Sequence, residues 1–331
     1  MYHIIVNPTS KSGKGAAIWS RLELILKEQS IEYKVFFSRE AGHVIKLVQE
    51  LSASLLESGS DKTLKLIVLG GDGTLNETLQ GISDFDRVEV GYIPTGSSND
   101  MARDLKLPSN PEAALFRILS CKEPVPMDIG CLVYHSDKTP AASALEKKGS
   151  ALEKESSAQR YFTVSSGIGF DAAVCEEALT SKFKKALNKI GLGKLTYLII
   201  ALKQLIKAQK VTCDFTLDDK RAVHMSKFLF VACMNHQYEG GGFKFCPDAD
   251  YRDGRLDICA VGNIPKWLVL LALPTAFKGN HYRFQGIDRY AASKIHLETS
   301  SPLWVHTDGE VSQKSSSITL TCEKEKLKFL L

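Results

Sequence analysis

The stretch "LKLIVLGGDGTLNE", Leu64 to Glu77, is an apolar run that ends on two glycines, an aspartate, a third glycine and a threonine. Leu64–Leu69 is short, rich in Leu, Ile and Val, carries one lysine and is bounded by glycine, the pattern of a buried parallel strand rather than a helix. A helical pattern opens at Thr74 and runs to Gly81. Together, strand, glycine turn and helix start suit the approach of a phosphate, because glycines let backbone come close to an anion and a helix N-terminus offers free N–H groups. Taken alone, the same residues also make an ordinary tight turn.

Outward from this stretch the first part of the chain alternates. Strand Ile4–Val6 precedes a helix with Ile18, Leu22, Ile25 and Leu26 at helical spacing. Strand Lys34–Phe37 precedes another, through Val44, Leu47, Val48, Leu51 and Leu55. After the opening strand and its helix come strand Val88–Ile93 and helical stretches following Gly96 and Pro111. Such alternation gives a parallel sheet covered by helices, with ligands at the C-terminal ends of the strands.

From about Pro124 strands dominate: Tyr161–Ser166, Val211–Leu217, Lys227–Met234, Leu256–Val261, Ile295–Glu298, Trp304–Thr307 and Ile318–Cys322, with a hairpin turn within Thr216–Val223. This pattern predicts an antiparallel sandwich or barrel as a second domain. The expected division is an α/β nucleotide-binding domain at 1–123, a β-rich domain at 124–310, and C-terminal strands at 311–331 that could return to the first domain. Within the second, 135–159 is rich in Ser, Ala, Lys and Glu with almost no large apolar side chain, and reads as a disordered or weakly helical surface insertion.

At 331 residues the chain exceeds what one core usually organises. A net charge of +4 gives a nucleic-acid partner no support, while allowing mild attraction to an anionic membrane. Eight cysteines without a CxxC pair or zinc-like His spacing fit free thiols in a reducing cytoplasm. The opening "YHIIVNP" lacks signal-peptide features. The most apolar window, Trp267–Phe277, is too short to span a bilayer and contains a proline, so it is either core or an interfacial contact.

Four glycine or polar clusters fall at strand ends: "NPTSKSGKG" (Asn7–Gly15), "GGDGTLNE" (Gly70–Glu77), "PTGSSNDMAR" (Pro94–Arg103) and "HTDGE" (His306–Glu310). In the first, Ser10, Ser12 and Lys14 could hold phosphate oxygens, although the spacing is not that of a P-loop. In the third, Ser97, Ser98 and Asn99 precede a helix, as cap or as phosphate contact. Recurrence at successive strand ends is what favours a ligand over simple caps.

These motifs, with "SSGIGFDAAV" (Ser165–Val174) and "YEGGGFKFCPDADYRDGRLDI" (Tyr238–Ile258), resemble the bacterial diacylglycerol kinase family of soluble lipid kinases over nearly the whole chain. GGDGT alone is shared with NAD kinases and phosphofructokinases. The resemblance implies an N-terminal domain binding ATP and Mg²⁺, a C-terminal β-sandwich serving the lipid, and transfer of the γ-phosphoryl group in the cleft between them. It also implies a lipid substrate met at the inner face of the membrane and a homodimer. Departures are the long 135–159 insertion, Ser97 where threonine is common, and Ser165 where asparagine is common.

Residue by residue, nucleotide contacts are implied at Asn7, Pro8, Ser10, Gly13, Lys14, Ser38, Gly70, Gly71, Asp72, Gly73, Thr74, Asn76, Glu77, Thr95, Gly96, Ser97 and Asn99. Asp72 would organise Mg²⁺ and its waters. Glu77 is expected to favour its own helix's first turn through the dipole, with nucleotide contact as an alternative. Asp308 and Glu310 supply the carboxylate that accepts the acceptor hydroxyl's proton, with Asp308 the expected base and Glu310 its partner; Asp100 and Asp171 stand in reserve. Asp253, with the carbonyls of Asp250 and Arg255, resembles the family's structural Mg²⁺ site. An NAD kinase and a non-catalytic nucleotide or lipid sensor remain as alternatives.

Deleting Thr139–Ser157 should leave the melting temperature and turnover nearly unchanged, because a segment without apolar anchors buries little. A melting point lower by many degrees would show that the segment packs against the body.

Overall fold

A computed structural model of the chain describes residues 1–57, 62–135, 159–180, 193–208 and 211–331. The expected insertion lies outside these residues, apart from its two ends.

Strand β1 (Tyr2–Val6) shows why the N-terminal sheet is covered on both faces. Ile4 and Val6 pack with Leu22 and Leu26 of a helix at Gly15–Glu28 and with Leu115 and Ile118 of a helix at Pro111–Ser120. Ile5, pointing the other way, joins Val44 and Val48 of a helix at His43–Glu57 and Leu75 and Leu79 of the helix at Asp72–Gly81. A strand buried on both faces needs apolar residues without alternation, which is what Leu64–Leu69 offers. Strand β1 lies between β2 (Tyr33–Phe37) and β3 (Leu64–Gly70), and β3 pairs with β4 (Val88–Pro94), all parallel.

The second half is antiparallel: β5 (Val125–Tyr134), β6 (Gln159–Phe162), β7 (Ser165–Gly169), β8 (Val211–Leu217), β9 (Arg221–Met234), β10 (Leu256–Gly262), β11 (Ile287–Ala292), β12 (Lys294–Thr307) and β13 (Glu310–Phe329). It folds into a β-sandwich whose interior includes Phe162, Phe215, Val231, Ile258, Leu297 and Ile318. The β8–β9 hairpin turns on Asp218 and Asp219, at φ 50° and 55°, a left-handed pair that Asp tolerates better than most residues.

Strand β13 ties the halves together. It runs antiparallel to β12 and β5, then ends parallel to β4 through Lys328↔Glu89 and Phe329↔Val90. Leu327 and Phe329 are fully buried in a core that holds Val90 and Tyr92 from the first domain and Met127, Val164 and Phe230 from the second. All eight cysteines are free.

Several elements differ from expectation, among them β13, which spans Glu310–Phe329 where the sequence predicts Ile318–Cys322. The helix after β3 begins at Asp72, two residues early, with extended Gly71 as its N-cap. The two strands expected at Ile295–Glu298 and Trp304–Thr307 are one, β12, with a register shift between Glu298 and Leu303. The strand expected at Tyr161–Ser166 is two: the chain pairs with β5 through Phe162, then with β9 and β12 from Ser165.

Phe329→Ala should cost about 3–5 kcal/mol and, because the ring packs with residues of both domains, shift one cooperative urea transition. Two transitions with one unmoved would show that the domains do not share this core.

Candidate active site

The C-terminal ends of β1, β2, β3 and β4 open onto a cavity of about 600 Å³. Its walls include Asn7, Ser10, Ser38, Gly71, Gly73, Thr74, Glu77, Gly96 and Ser97, with Glu310 reaching in from the second domain. Side chains link the loops. Asn7 Nδ2 donates to Thr74 Oγ1 (3.1 Å), Thr95 Oγ1 to Ser10 Oγ (2.8 Å), and Ser10 Oγ to the Asn7 carbonyl (2.9 Å).

The glycines of GGDG each have a steric reason. A Cβ on Gly70 would lie 2.5 Å from the Thr74 side chain, on Gly71 3.0 Å from Gly96 Cα, and on Gly73 2.5 Å from Glu310 Oε1. None lies at positive φ, so close approach and not backbone conformation favours glycine at Gly70 and Gly71, while at Gly73 the Glu310 carboxylate could swing aside. Two loops touch glycine to glycine, and Glu310 lies against the first turn of the Asp72–Gly81 helix, where N–H groups lack intrahelical acceptors.

Several expected residues act differently. Glu77 Oε1 accepts from Gly42 N (2.8 Å) and Oε2 from Val44 N (3.2 Å), so it caps the start of the preceding helix, His43–Glu57. Asn99, at φ 49°, grips the Gly96 turn, accepting from Gly96 N (2.9 Å) and donating to its carbonyl (3.0 Å). Pro8, Gly13 and Lys14 are not on the cavity wall, whereas Thr9, Lys11, Arg39, Glu40, Ala41 and Val44 are. Lys11 and Arg39 bring the positive charge expected of Lys14. The strand-end rule, applied to β2, points to Ser38–Ala41, but that loop carries no glycine until Gly42.

The Asp308 carboxylate is the most heavily bonded group of the site. Oδ1 accepts from Val164 N (2.8 Å) and Ser165 N (3.1 Å), and Oδ2 from Asn76 Nδ2 (2.9 Å), Thr163 N (2.9 Å) and Thr163 Oγ1 (3.2 Å). Its own N–H donates to Ser165 O (2.8 Å). Five donors fill the four or so lone-pair positions of a carboxylate. Asp308 therefore breaks the Tyr161–Ser166 strand by taking its N–H groups, and joins it to Asn76. Asn76 is spent on this junction, also donating to Tyr161 O (3.1 Å) and accepting from Arg160 (3.3 Å).

Asp72 is less committed: it accepts from Asp100 N (3.3 Å) and Tyr92 OH (3.4 Å). Burial, then the charges of Asp100 and Asp308, push its carboxyl up to about 7. Asp100 is buried, accepts from Gly241 N (2.9 Å) and pairs with Arg103 (3.2 Å).

Beside this lies a set without a sequence signal. His306 Nε2 is 3.2 Å from Asp171 Oδ2 and 3.3 Å from Glu239 Oε1. Gly309 N donates to Nδ1 (3.2 Å), which places the ring's proton on Nε2, between the carboxylates. Burial raises Glu239; His306 is raised too, its burial outweighed by Glu239 and Asp171. Gly167 makes the room, since a Cβ there would be 2.0 Å from Asp171 Oδ2.

In the 250–255 turn, Asp253 Oδ1 accepts from Arg255 N (2.9 Å) and Asp250 Oδ1 from Arg252 N (3.2 Å). The Arg255 guanidinium donates away from the turn, to Ala291 O. Buried Asp128 accepts from Gly254 N (2.7 Å) and Glu325 N (2.7 Å).

Comparison with known proteins agrees with this architecture. Residues 1–132 match the diacylglycerol kinase catalytic domain and residues 163–330 the YegS C-terminal NAD kinase beta sandwich-like domain. The chain belongs to this diacylglycerol kinase-type family of lipid kinases. Among its relatives, YtlR of Bacillus subtilis (strain 168), whose name places it with the lipid kinases, is 29% identical over 315 residues, 94% of this chain and 93% of that protein. A diacylglycerol kinase of Mycobacterium tuberculosis (strain CDC 1551 / Oshkosh) is 25% identical over 309 residues, 92% of this chain and 87% of that one. A solved structure of a diacylglycerol kinase from Bacillus anthracis str. Sterne has the same fold, with a TM-score of 0.68 at 22% identity, covering 99% of this chain and 96% of that chain.

Asp308→Asn puts an NH₂ against at least two buried donors, each left unsatisfied at about 1–3 kcal/mol. Denaturant titration should show a loss on the order of 2–5 kcal/mol. Wild-type stability would mean that the junction is dispensable.

Proposed function

We propose that the protein is an ATP- and Mg²⁺-dependent kinase that transfers the γ-phosphoryl group to the hydroxyl of diacylglycerol or a related lipid alcohol, giving phosphatidic acid or its analogue. The observation that carries this reading is the cavity at the strand ends, built from four polar or glycine-rich loops and closed by Glu310 from the β-sandwich domain. Family membership supplies the reaction class. Lys11 and Arg39 on the wall, and the N-terminus of the Asp72–Gly81 helix, suit a polyphosphate.

The acids fit a divalent cation. Burial and the charges of Asp100 and Asp308 raise the cost of ionising Asp72, and a hard cation with carboxylate ligands relieves that cost. Asp72 would hold Mg²⁺ there, which would neutralise charge on the phosphates. At the second turn, Asp253 is raised by burial and by Asp250 and Asp128, so a cation beside Asp253 and the Asp250 and Arg255 carbonyls fits as a structural site.

For the proton, position favours one of the two carboxylates, since Glu310 lies on the cavity wall. Asp308, expected from sequence as the base, has its lone pairs taken by five donors and acts as a positioning residue. Glu310, on the cavity wall, is assigned the acceptor hydroxyl's proton. Positioning and charge neutralisation supply most of the rate in phosphoryl transfer. We further assign the protein to the cytoplasm, peripherally attached to the membrane.

Incubation with radiolabelled ATP and either diacylglycerol micelles or NAD tests the substrate class: label is expected in the lipid. Label in NAD would instead support the NAD kinase reading, and label in neither a sensor. Glu310→Gln should lower turnover by about 10²–10⁴-fold with ATP affinity and melting temperature within a small factor of wild type. A near-normal rate would remove Glu310 from proton transfer.

A further inference from the structure

Among the described residues, eleven large apolar side chains are exposed, and six of them lie on or beside two helices of the second domain. Ile199 and Ile206 belong to the helix Gly193–Lys207; Trp267, Leu270 and Leu271 belong to the helix Lys266–Ala276, which Phe277 follows. Trp267 is 63% exposed, Leu271 57% and Phe277 50%. Residues 267, 270, 271 and 274 recur at helical spacing on the face opposite buried Val269, Ala272 and Ala276, so this is a stripe and not a scatter. Lys266 Nζ donates to the carbonyls of Ile206 (2.8 Å) and Ala208 (2.9 Å), which sets the two helices side by side.

The two segments that carry this face are basic. Residues 193–208 and 263–287 contain no Asp or Glu, yet carry Lys194, Lys203, Lys207, Lys266, Lys278 and Arg283. Lys203 pairs with Glu177, while Lys207 and Lys278 are exposed beside Ile206 and Phe277. An apolar stripe edged by lysines, with a tryptophan at one end, suits the interface of an anionic bilayer.

The face also continues into the site. Phe277 stacks on Phe243 at 4.1 Å. Phe243 pairs through its backbone with Glu239 (2.9 and 3.0 Å), and between them Gly241 N donates to Asp100 (2.9 Å). One short loop thus has one side on the stripe and the other among the site's acids.

We infer that this helix pair is the membrane-docking face of the protein, seating it on anionic phospholipid so that a lipid hydroxyl reaches the cleft without its tail leaving the bilayer. The inference rests on the lipid-kinase reading for its purpose, but not for its measurement. The test uses the full chain and sedimentation with phosphatidylcholine vesicles, with and without phosphatidylglycerol. Wild type should bind the anionic vesicles, more weakly at high salt. Trp267→Ser with Leu271→Ser should abolish most binding, and Lys207→Gln with Lys278→Gln should weaken it about fivefold per lysine, all with unchanged melting temperatures. The Trp267/Leu271 variant should lose rate on long-chain acceptor in vesicles and keep it on a short-chain acceptor in solution. Failure of every variant and of wild type on both acceptors would sink the kinase reading and leave the vesicle result standing. Equal sedimentation of wild type and variants would overturn the docking face. So would a wild-type dimer that the apolar substitutions dissociate without any vesicle binding, which would make this face a contact between copies.

Discussion

One carboxylate with five donors holds the site in shape. Asp308 takes three consecutive N–H groups from Thr163–Ser165 and an amide from Asn76, so the helix that starts the nucleotide loop and the strand that crosses into the sandwich are fixed to one side chain. Gly309, at φ 81°, then lets the chain turn back into β13. That turn delivers Glu310 against Gly73. Without the Asp308 junction the two domains would still share core residues, but the turn that carries Glu310 would lose its tie to Asn76 on the Asp72–Gly81 helix.

The same economy runs through the nucleotide loops. Their side chains mostly bond to one another and leave backbone and a few charges for a ligand. Glu77 starts one helix from another, Asn99 holds a turn, and Gly71 meets Gly96. Such mutual fixing produces prearranged N–H groups that need little reorganisation when charge develops on a phosphate. The acids are the counterweight: burying Asp72 near Asp100 and Asp308 costs stability and makes the place receptive to a cation.

What could be read from the sequence was what depends on near neighbours. Alternating strands and helices announce themselves through local periodicity, and the loops after β1, β3 and β4 through glycine and small polar residues. The break in Tyr161–Ser166 could not be read, because its cause, Asp308, is more than a hundred residues away and the segment itself is a good strand. Glu77 looked like a residue of its own helix because its partners, Gly42 and Val44, precede it by a whole strand. The Asp171, Glu239 and His306 set has no spacing to betray it, since a helix, a loop and a strand bring it together. Lys11 and Lys14 look alike in the sequence, because a basic residue carries no mark of which way its loop turns, and only Lys11 reaches the cavity wall.

The pairing of β13 with β4 sets an order in time. The outer edge of β4 receives Lys328 and Phe329, synthesised more than two hundred residues after it, roughly 10–50 s later at translation rates of about 5–20 residues per second. Until then the N-terminal half presents an open parallel edge, the kind of surface that recruits strands from other chains. This architecture therefore trades a well-locked final sheet for a long vulnerable interval on the ribosome, during which a chaperone or rapid completion of the sandwich must guard the strand that the chain closes last.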